Sequence, residues 1–251
     1  MRTKVIAGNW KMNYDLIESK NLISKLSVEL KSIDSRCEIV ICPPFTSLSE
    51  AAALVKDTQI KLGAQNLHEE ENGAFTGEIS AKMLRSTGCE FVIIGHSERR
   101  TIYKESDELI NKKIDRAIKN NLKPIFCVGE LLKEREQNIT EQVIESQVLK
   151  GLKGFSEGDL ANLIIAYEPV WAIGTGKTAS PQQAEEVHHF IRKLIEKSIS
   201  EEFAEKLRIL YGGSVKPDNS ADLLSQLNID GALVGGACLK AESFLSIIKS
   251  A

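Results

Sequence analysis

The chain has 251 residues, of which 42% are hydrophobic and 27% charged, and its net charge is -3. This composition is ordinary for a soluble globular protein, and the small negative charge gives no electrostatic reason to expect nucleic acid or an anionic membrane as a partner. No apolar run approaches the roughly 20 residues of a membrane-spanning helix, and the N-terminus lacks the apolar centre of a signal peptide.

Five cysteines occur at scattered spacings without a C-x-x-C pair, which predicts reduced thiols and a cytoplasmic location. The chain has four histidines, and two of them, His188 and His189, are adjacent. Neighbouring residues on a helix point about 100° apart, so these two would not readily share a metal ion. With no zinc pattern in the sequence, we expect no metal site.

Eight short apolar runs are predicted to be strands. Most are continuous rather than alternating, which is typical of strands that are buried on both faces. In chain order the runs are Val5–Ala7, Glu38–Cys42, Ile60–Ala64, Phe91–Ile94, Pro124–Val128, Leu163–Tyr167, Arg208–Tyr211 and Ala232–Val234.

Helical patterns lie between these runs, for example Ile110, Ile114 and Ala117 after the fourth run. The strand-plus-helix unit repeats about every 30 residues, as βαβ units require. Eight such units predict an α/β fold, a single-domain (β/α)8 TIM barrel over residues 1–251. An open, doubly wound sheet is the structural alternative, because it is built from the same units.

The connection after the third strand, from Gln65 to Ile79, is long for its task and contains Gly73, Phe75 and Gly77. Ordered loops beyond about 12 to 15 residues are usually functional or interfacial. An exposed phenyl ring at a loop tip is unfavourable unless something covers it. We therefore predict that this loop docks onto a partner subunit; the alternative is a mobile surface loop.

Polar residues follow several of the predicted strands. In a barrel, the carboxyl ends of the strands meet at one face, where the site lies. Each residue alone is more often a solvated loop residue, but the convergence of several predicts a common site. They are Asn9 and Lys11 after the first strand, His96 and Glu98 after the fourth, Glu130 after the fifth, Glu168 after the sixth, Ser214 after the seventh, and Gly235 and Gly236 after the eighth.

Two glycine-bearing loops, Gly212-Gly213-Ser214 and Gly235-Gly236, predict a phosphate site. Backbone N–H groups can approach a ligand closely where no side chain intervenes, and the loops after strands seven and eight are the usual phosphate site in barrels. Gly174 is expected to add an N–H group from above. A nucleotide-binding P-loop ending at Lys177 is excluded, because that motif needs glycine where this chain has Trp171.

Glu168 ends an apolar run, and Pro169 then interrupts the strand pattern. A loop with two glycines follows, and Ser180-Pro181 has the features of a helix start. This order suits a general base beneath a movable lid, which would exclude water and raise the pKa of Glu168 by burying it. The alternative is an ordinary strand-to-helix connection that ends in a surface glutamate.

His96 lies where a strand leads into a helical segment. The positive end of the helix dipole disfavours the imidazolium, so we expect a neutral ring that can donate a hydrogen bond to a carbonyl oxygen; a structural helix cap is the alternative. Lys11 would supply positive charge near a developing oxyanion and could pair with Glu98, and Asn9 would offer an amide N–H group.

Taken together, these motifs resemble those of the triosephosphate isomerase family, in order and over essentially the whole chain. The matching segments are Asn9-Trp10-Lys11, Ala64-Gln65-Asn66, Gly95 to Arg100, Cys127 to Glu130, Ala166 to Gly176, Tyr211 to Ser214 and Val234 to Gly236. The resemblance implies an isomerase that interconverts dihydroxyacetone phosphate and D-glyceraldehyde 3-phosphate in glycolysis and gluconeogenesis. It also implies a homodimer that needs no metal or cofactor.

The resemblance also implies a role for each matching residue. Glu168 would move the proton through an enediolate, and His96 would polarise the carbonyl. Asn9 and Lys11 would bind the substrate and stabilise negative charge. The phosphate would be held by Gly174, Ser214, Gly235 and Gly236, beneath a lid formed by residues 169–179. Two other functions stay open: a Schiff-base aldolase with Lys11 as nucleophile, and a barrel that only binds a phosphate ligand.

Overall fold

The structure is a computed structural model that describes residues 2–173 and 178–251. In these ranges, eight parallel strands close into a barrel, each paired with the next in chain order. The eighth strand pairs with the first, Val5 lying opposite Gly231 and Gly8 opposite Val234. The predicted α/β barrel is therefore confirmed, and the open doubly wound alternative is wrong because no strand edge is left between the first and last units described.

The strands are β1 (Val5–Asn9), β2 (Glu38–Cys42), β3 (Ile60–Ala64), β4 (Phe91–Ile94), β5 (Lys123–Val128), β6 (Ile164–Tyr167), β7 (Arg208–Tyr211) and β8 (Gly231–Val234). The prediction is confirmed for every strand, with ends that differ by at most two residues. β1 shows the largest difference, because Gly8 and Asn9 continue its pairing to Ile41 and Cys42 although neither is a typical strand residue.

The helices pack outside the barrel. They are α1 (Leu16–Leu30), α2 (Leu48–Val55), α3 (Ala81–Ser86), α4 (Ser97–Thr101), α5 (Asp107–Lys119), α6 (Leu132–Glu136), α7 (Thr140–Gly151), α8 (Pro181–Ser198), α9 (Glu201–Lys206), α10 (Ser220–Leu224) and α11 (Ala241–Lys249), with short 3-10 helices at Phe45–Ser47, Val170–Ala172 and Gly236–Leu239. In the parts of the chain that are described, none is both long and apolar enough to cross a membrane.

Alternate residues of each strand point into the barrel and outward to the helices. Val5 and Ala7 belong to the interior cluster of the barrel, whereas Ile6 between them packs in the outer layer with the helices. Both layers are buried, and this explains why the strand sequences are continuous apolar runs. The polar residues that follow the strands are thereby carried to the carboxyl-terminal mouth.

The start of α8 matches the sequence prediction. The Ser180 hydroxyl accepts a hydrogen bond from the N–H of Gln183 at 3.1 Å, and the Gln183 side chain accepts one from the N–H of Ser180 at 3.0 Å. Pro181 occupies the first helical turn, where a missing N–H has no cost. This capping box fixes the point at which the chain returns from the loop after Glu168 to the barrel wall.

His188 is buried in the interior face of α8. Its Nδ1 atom lies 3.3 Å from the carbonyl oxygen of Asn228, to which it donates. Burial lowers the pKa of His188 to about 3, so the imidazole is neutral in the folded chain. A charged group nearby, the Arg192 guanidinium, acts in the same direction.

The long loop after β3 stands out from the barrel, with residues 70–78 exposed. The Phe75 ring is 44% exposed and packs on the His68 ring, with 4.4 Å between the centroids. Short-range hydrogen bonds shape the tip, where the N–H of Phe75 donates to the Gly73 carbonyl at 3.0 Å. The prediction of an exposed aromatic tip on this loop is thus confirmed, while its docking onto a partner stays a prediction.

Candidate active site

The strand ends converge on one cavity of about 320 Å³ at the carboxyl-terminal mouth of the barrel. Among the residues lining it are the predicted site residues Asn9, Lys11, His96, Glu168, Ser214, Gly235 and Gly236. The structure therefore brings these seven residues together, whereas Glu98 and Glu130, which the sequence also places at strand ends, do not line the cavity. Gly174 lies outside the described residues, as do the three that follow it in the predicted lid.

Glu168 is nearly fully buried at the floor of this cavity, with 2% of its surface exposed. Its Oε1 atom lies 2.9 Å from Nε2 of His96, and Oε2 accepts a hydrogen bond from the N–H of Ser97 at 2.9 Å. Burial acts to raise the pKa of Glu168, but His96 and the Ser97 N–H outweigh it and lower the pKa below its usual range. The raised pKa that the sequence predicts applies to Glu168 beneath a closed lid, and that lid includes residues outside the described ranges.

His96 caps α4, which is the alternative that the sequence left open for this residue. Its Nδ1 atom accepts a hydrogen bond from the N–H of Glu98 at 3.2 Å, so this nitrogen bears no proton and Nε2 carries the proton that faces Glu168. Burial acts to lower the pKa of His96, but the carboxylates of Glu168 and Glu98 outweigh it and raise the pKa. This direction is opposite to the one that the helix dipole predicts, so the uncharged ring stays a prediction, which the bond accepted by Nδ1 supports.

Lys11 extends across the mouth and forms an ion pair with Glu98, with 2.7 Å between Nζ and Oε1. This is the contact that the sequence allowed but could not demonstrate. The backbone of Lys11 has a φ of 53°, in the left-handed region, which costs about 1–2 kcal/mol for a residue with a Cβ. The Asn9 side chain accepts the N–H of Lys11 at 3.1 Å through Oδ1, so its NH₂ group remains the donor it can offer a ligand.

Gly235 and Gly236 leave open space beside the backbone. A Cβ added to Gly236 would meet no atom within 4 Å, and one added to Gly235 would first meet Lys11 Cε at 3.8 Å. Gly236 also begins a short 3-10 helix over Gly236–Leu239. The cavity therefore has room for a ligand group directly against these amides and near the Lys11 side chain.

Gly212 and Gly213 have a different physical reason to be glycine. A Cβ at Gly212 would lie 2.8 Å from Cγ of Glu168, and one at Gly213 would lie 2.3 Å from the Tyr211 hydroxyl. Their small size permits the β7 end to pack against the Glu168 side chain and the Tyr211 ring. Sequence reasoning assigned them to ligand approach alone and missed this packing role.

Glu130 is a buried carboxylate to which sequence reasoning gave no role. Its Oε1 atom accepts hydrogen bonds from the Tyr167 hydroxyl at 3.1 Å and from Nε1 of Trp171 at 2.9 Å. Its backbone carbonyl accepts the N–H of Val170 at 3.1 Å. Burial raises the pKa of Glu130, although these donors oppose the shift. The position of Glu130 at the end of β5 was the available signal, and in the structure it holds Val170 and Trp171, which belong to the predicted lid.

A second cavity of about 210 Å³ lies behind Glu168. Its walls include Ser97, Arg100, Leu131 and Gln147, and Glu168 lines both this cavity and the larger one. The Arg100 guanidinium bridges two strand ends here, since Nε donates to the Gly95 carbonyl at 2.8 Å and Nη2 to the Cys127 carbonyl at 3.1 Å. Glu168 is therefore a wall residue of both cavities.

The site combines groups suited to moving a proton next to a carbonyl. A carboxylate can act as a base, an imidazole N–H can donate a hydrogen bond, and an ammonium group can supply positive charge. Within residues 2–173 and 178–251, no three His, Cys, Asp or Glu side chains are grouped to hold a metal ion.

Comparisons with a family model and with similar proteins point to the same family. A family model described as triosephosphate isomerase matches residues 4–251. Similar proteins named triosephosphate isomerase come from Carboxydothermus hydrogenoformans (53% identical over 99% of both chains), Rhodopirellula baltica (55% identical over 100% of this chain and 98% of the relative) and Chloroherpeton thalassium (51% identical over 100% of both). On the strength of these full-length matches and of a barrel mouth with the expected side chains, the chain belongs to the triosephosphate isomerase family.

Proposed function

We propose that the chain interconverts dihydroxyacetone phosphate and D-glyceraldehyde 3-phosphate through an enediolate, in glycolysis and gluconeogenesis. The observation that carries the proposal is the placement of Glu168 and His96, 2.9 Å apart, in a cavity that Lys11 and Gly236 also line. Family membership supplies the substrate, and the geometry supplies a role for each side chain.

Glu168 is the base that takes the proton from one substrate carbon and returns it to the next. In the structure it is held by His96 and by the N–H of Ser97, and these contacts keep its pKa low. When the carboxylate turns toward a substrate it leaves those donors, while its burial remains. Its proton affinity then rises toward the range in which a general base works best near neutral pH.

His96 donates its Nε2 proton to the substrate carbonyl oxygen and stabilises the negative charge that develops there. The bond from the Glu98 N–H to Nδ1 keeps the ring in the tautomer that this task requires. Lys11 adds positive charge on the same side, and the NH₂ group of Asn9 adds a second donor.

Ser214, Gly235 and Gly236 hold the phosphate group, and Gly174 adds an N–H group from the lid. The phosphate is remote from the reacting carbons, so its binding energy is available to close the lid. A closed lid excludes water, which protects the enediolate from losing phosphate. In this proposal, the lid moves from the segment at Val170 and Trp171, which hydrogen bonds to Glu130 hold in place.

The single assay that tests this function follows conversion of D-glyceraldehyde 3-phosphate in a coupled reaction in deuterium oxide. We expect steady conversion, with deuterium entering the carbon next to the carbonyl. A barrel that only binds phosphate would show neither result. A Schiff-base aldolase would form an adduct that borohydride traps on Lys11; the ion pair that engages this ammonium group with Glu98 favours the isomerase.

We also propose that the active form is a homodimer in which the loop after β3 docks onto the partner. Phe75 is 44% exposed at the loop tip, and Met12, in the loop after β1, is 96% exposed. Burying such apolar side chains in an interface is favourable.

The same proposal includes a cytoplasmic location, one domain over residues 1–251, and activity without a metal or cofactor.

Sedimentation tests the dimer. The parent chain should sediment with twice the mass of one chain, and Phe75→Asp should shift it toward the monomer. Leu227→Asp is the matched control, because Leu227 is an apolar residue that is 81% exposed away from this loop. A parent chain that is a stable and fully active monomer would contradict the proposal.

A further inference from the structure

The position of the Lys11 ammonium depends on an unusual turn of its own backbone. Lys11 follows β1 by two residues and has a φ of 53°. Residues with a Cβ rarely adopt this left-handed conformation unless the surrounding structure holds them there. From this turn the side chain lines the cavity and reaches Glu98. Whatever fixes the turn therefore fixes the charge at the mouth of the site.

Gln65 provides such a restraint from the end of β3. Its Nε2 atom donates one hydrogen bond to the Lys11 carbonyl at 2.9 Å and another to the Cys42 carbonyl at 2.9 Å. Only the NH₂ end of the side chain can donate, so two carbonyl acceptors fix the orientation of the amide and use both of its protons. The N–H of Trp10 donates to the same Cys42 carbonyl at 3.2 Å. One side chain thus ties together the ends of three neighbouring strands.

The turn at Lys11 is restrained on both sides. On its N-terminal side, the Asn9 carboxamide accepts the Lys11 N–H at 3.1 Å. On its C-terminal side, Gln65 holds the carbonyl. We propose that Gln65 is a positioning residue for the isomerase reaction, acting through Lys11 without touching the substrate. This inference rests on the proposed function, in which the Lys11 ammonium stabilises the enediolate.

Losing the Gln65 donor should displace the Lys11 ammonium. Without that bond, the carbonyl is free to rotate and the residue can relax to a negative φ, which is the favourable region for lysine. A rotation of the Lys11 backbone would move the ammonium group at the end of its long side chain by more than roughly 1 Å. A misplacement of that size can lower the rate by about 100-fold. The ion pair with Glu98 does not replace the lost restraint, because it holds the end of the side chain and not the backbone.

The chain offers a matched control at the other end of the same strand. Gln59 directly precedes β3, and its Nε2 atom also donates to two backbone carbonyls, that of Leu30 at 2.7 Å and that of Ile33 at 3.4 Å. The experiment compares Gln65→Met with Gln59→Met, since each replaces a bridging amide by an apolar side chain of similar length. A third variant, Gln65→Glu, keeps the shape but places an oxygen atom against the two carbonyls.

We expect kcat/KM to fall by about 10- to 100-fold in both Gln65 variants and by less than twofold in Gln59→Met. Melting temperature should fall by similar amounts in Gln65→Met and Gln59→Met, which separates a positioning effect from general destabilisation. Inhibition by glycerol 3-phosphate, which has a phosphate but no carbonyl, should weaken less than turnover. In a crystal structure of either folded Gln65 variant, Lys11 should have left the left-handed region.

Three results would overturn the inference. The first is a folded Gln65 variant with kcat/KM within twofold of the parent. The second is a Gln59→Met variant that loses as much activity as Gln65→Met. The third is a crystal structure of an inactive Gln65 variant in which Lys11 keeps its positive φ. Sedimentation of each variant shows whether it has the same oligomeric state as the parent, so that only variants in the same state are compared. The parent is assayed in parallel: an inactive parent would refute the proposed function, whereas an active parent with an active Gln65→Met would refute only the role of Gln65.

Discussion

At the scale of single residues, the Glu168 carboxylate makes two contacts that it would have to leave in its proposed role as a base. Both carboxylate oxygens have a hydrogen-bond partner, His96 on one side and the Ser97 N–H on the other. To reach a substrate in the larger cavity, the carboxylate must exchange these partners for the ligand. The length of the side chain therefore decides whether it reaches the substrate carbon.

Glu168→Asp shortens this side chain by one methylene. We expect turnover to fall by roughly 100-fold, because the carboxylate would lie about 1 Å short of the substrate carbon. Binding of glycerol 3-phosphate should change far less, since the phosphate contacts are elsewhere. Steady-state kinetics and inhibition measurements give both values. Near-normal turnover in this variant would argue against Glu168 as the base.

Glu168→Gln should lower the pKa of His96. The Glu168 carboxylate is the main group that raises this pKa against the effect of burial. A neutral amide removes that contribution, so burial prevails and the charged imidazolium becomes less favourable. NMR titration of the imidazole nitrogens measures the shift. Glu98→Gln is the control and should produce a smaller decrease, and an increase in the Glu168→Gln variant would contradict the assignment.

Sequence reasoning located the reactive residues but not their contacts. His96 and Glu168 could be placed at the mouth because each follows a predicted strand, and strand ends in a barrel meet. Their mutual contact, and the bond from Ser97, depend on side-chain rotation, which no local pattern specifies. The effect of burial on the pKa of Glu168 can be inferred from the apolar sequence around it, whereas the donors that outweigh burial in this structure cannot.

At the scale of elements, the segment between β6 and α8 is anchored at both of its described ends. Glu130 accepts hydrogen bonds from Tyr167 and Trp171 at the first end, and the capping box of Ser180 and Gln183 fixes the second. The intervening residues 174–177 lie outside the described part of the chain. Two predictions concern this element.

Glu130→Ala should loosen the first anchor. The change removes the acceptor of the buried Tyr167 hydroxyl, which costs about 1–3 kcal/mol, and it removes one hydrogen bond of the Trp171 indole. We expect lower thermal stability together with a lower kcat, because the start of the predicted lid loses its fixed position. Glu130→Gln is the control, since it retains an acceptor oxygen and should lose less of both. Equal activity losses in the two variants would show that the negative charge, not the acceptor, matters.

A bulky residue at Gly174 should weaken the binding of phosphate ligands. The expectation comes from the sequence, in which Gly174 supplies a backbone N–H group to the phosphate from the lid. A side chain at this position would hold the amide away from the ligand. Inhibition by glycerol 3-phosphate measures the effect, with Gly158→Ala, on the exposed opposite side of the barrel, as control. Unchanged affinity in the Gly174 variant would remove it from the phosphate site.

The predicted ends of helices and strands agree closely with the structure where a local sequence motif specifies them. Ser180, Pro181 and Gln183 form a recognisable helix start, and the apolar runs end where the strands end. β1 was predicted too short because Gly8 and Asn9 have low strand propensity, and only their pairing with β2 keeps them in the sheet. That pairing is a tertiary interaction and leaves no local signal.

At the scale of the whole molecule, acid stability depends on buried neutral groups. His188 has a pKa of about 3 in the folded chain and an ordinary value of 6.5. Between these values the unfolded chain binds a proton that the folded chain does not, so stability falls as pH falls from about 6.5 toward 3. One such proton corresponds to about 1.4 kcal/mol per pH unit.

His188→Asn should therefore flatten the decline of unfolding free energy on the acid side, even if it lowers stability at neutral pH. The asparagine amide can still donate toward the Asn228 carbonyl, and it does not titrate. Denaturant unfolding at several pH values measures the slope. His189→Asn, at the exposed neighbouring position, is the control and should unfold as the parent does. A His188→Asn slope equal to that of the parent would contradict the proposed linkage.

Closure of the barrel was the global feature least determined by the sequence. The strand and helix units alone are equally compatible with an open sheet. What separates the two is the pairing of β8 with β1, for which Gly231 is required: a Cβ there would lie 1.9 Å from the Val5 carbonyl oxygen. The two strands are separated by most of the chain, and such a contact cannot be read from either segment alone.

Glu168 lines both cavities, and this has a consequence for the motion that the proposed function requires. If the carboxylate advances into the space of about 320 Å³, it moves away from the walls of the space of about 210 Å³. Under the proposed function, that movement needs only the rotation of one side chain, and the paired strands of the barrel need not separate.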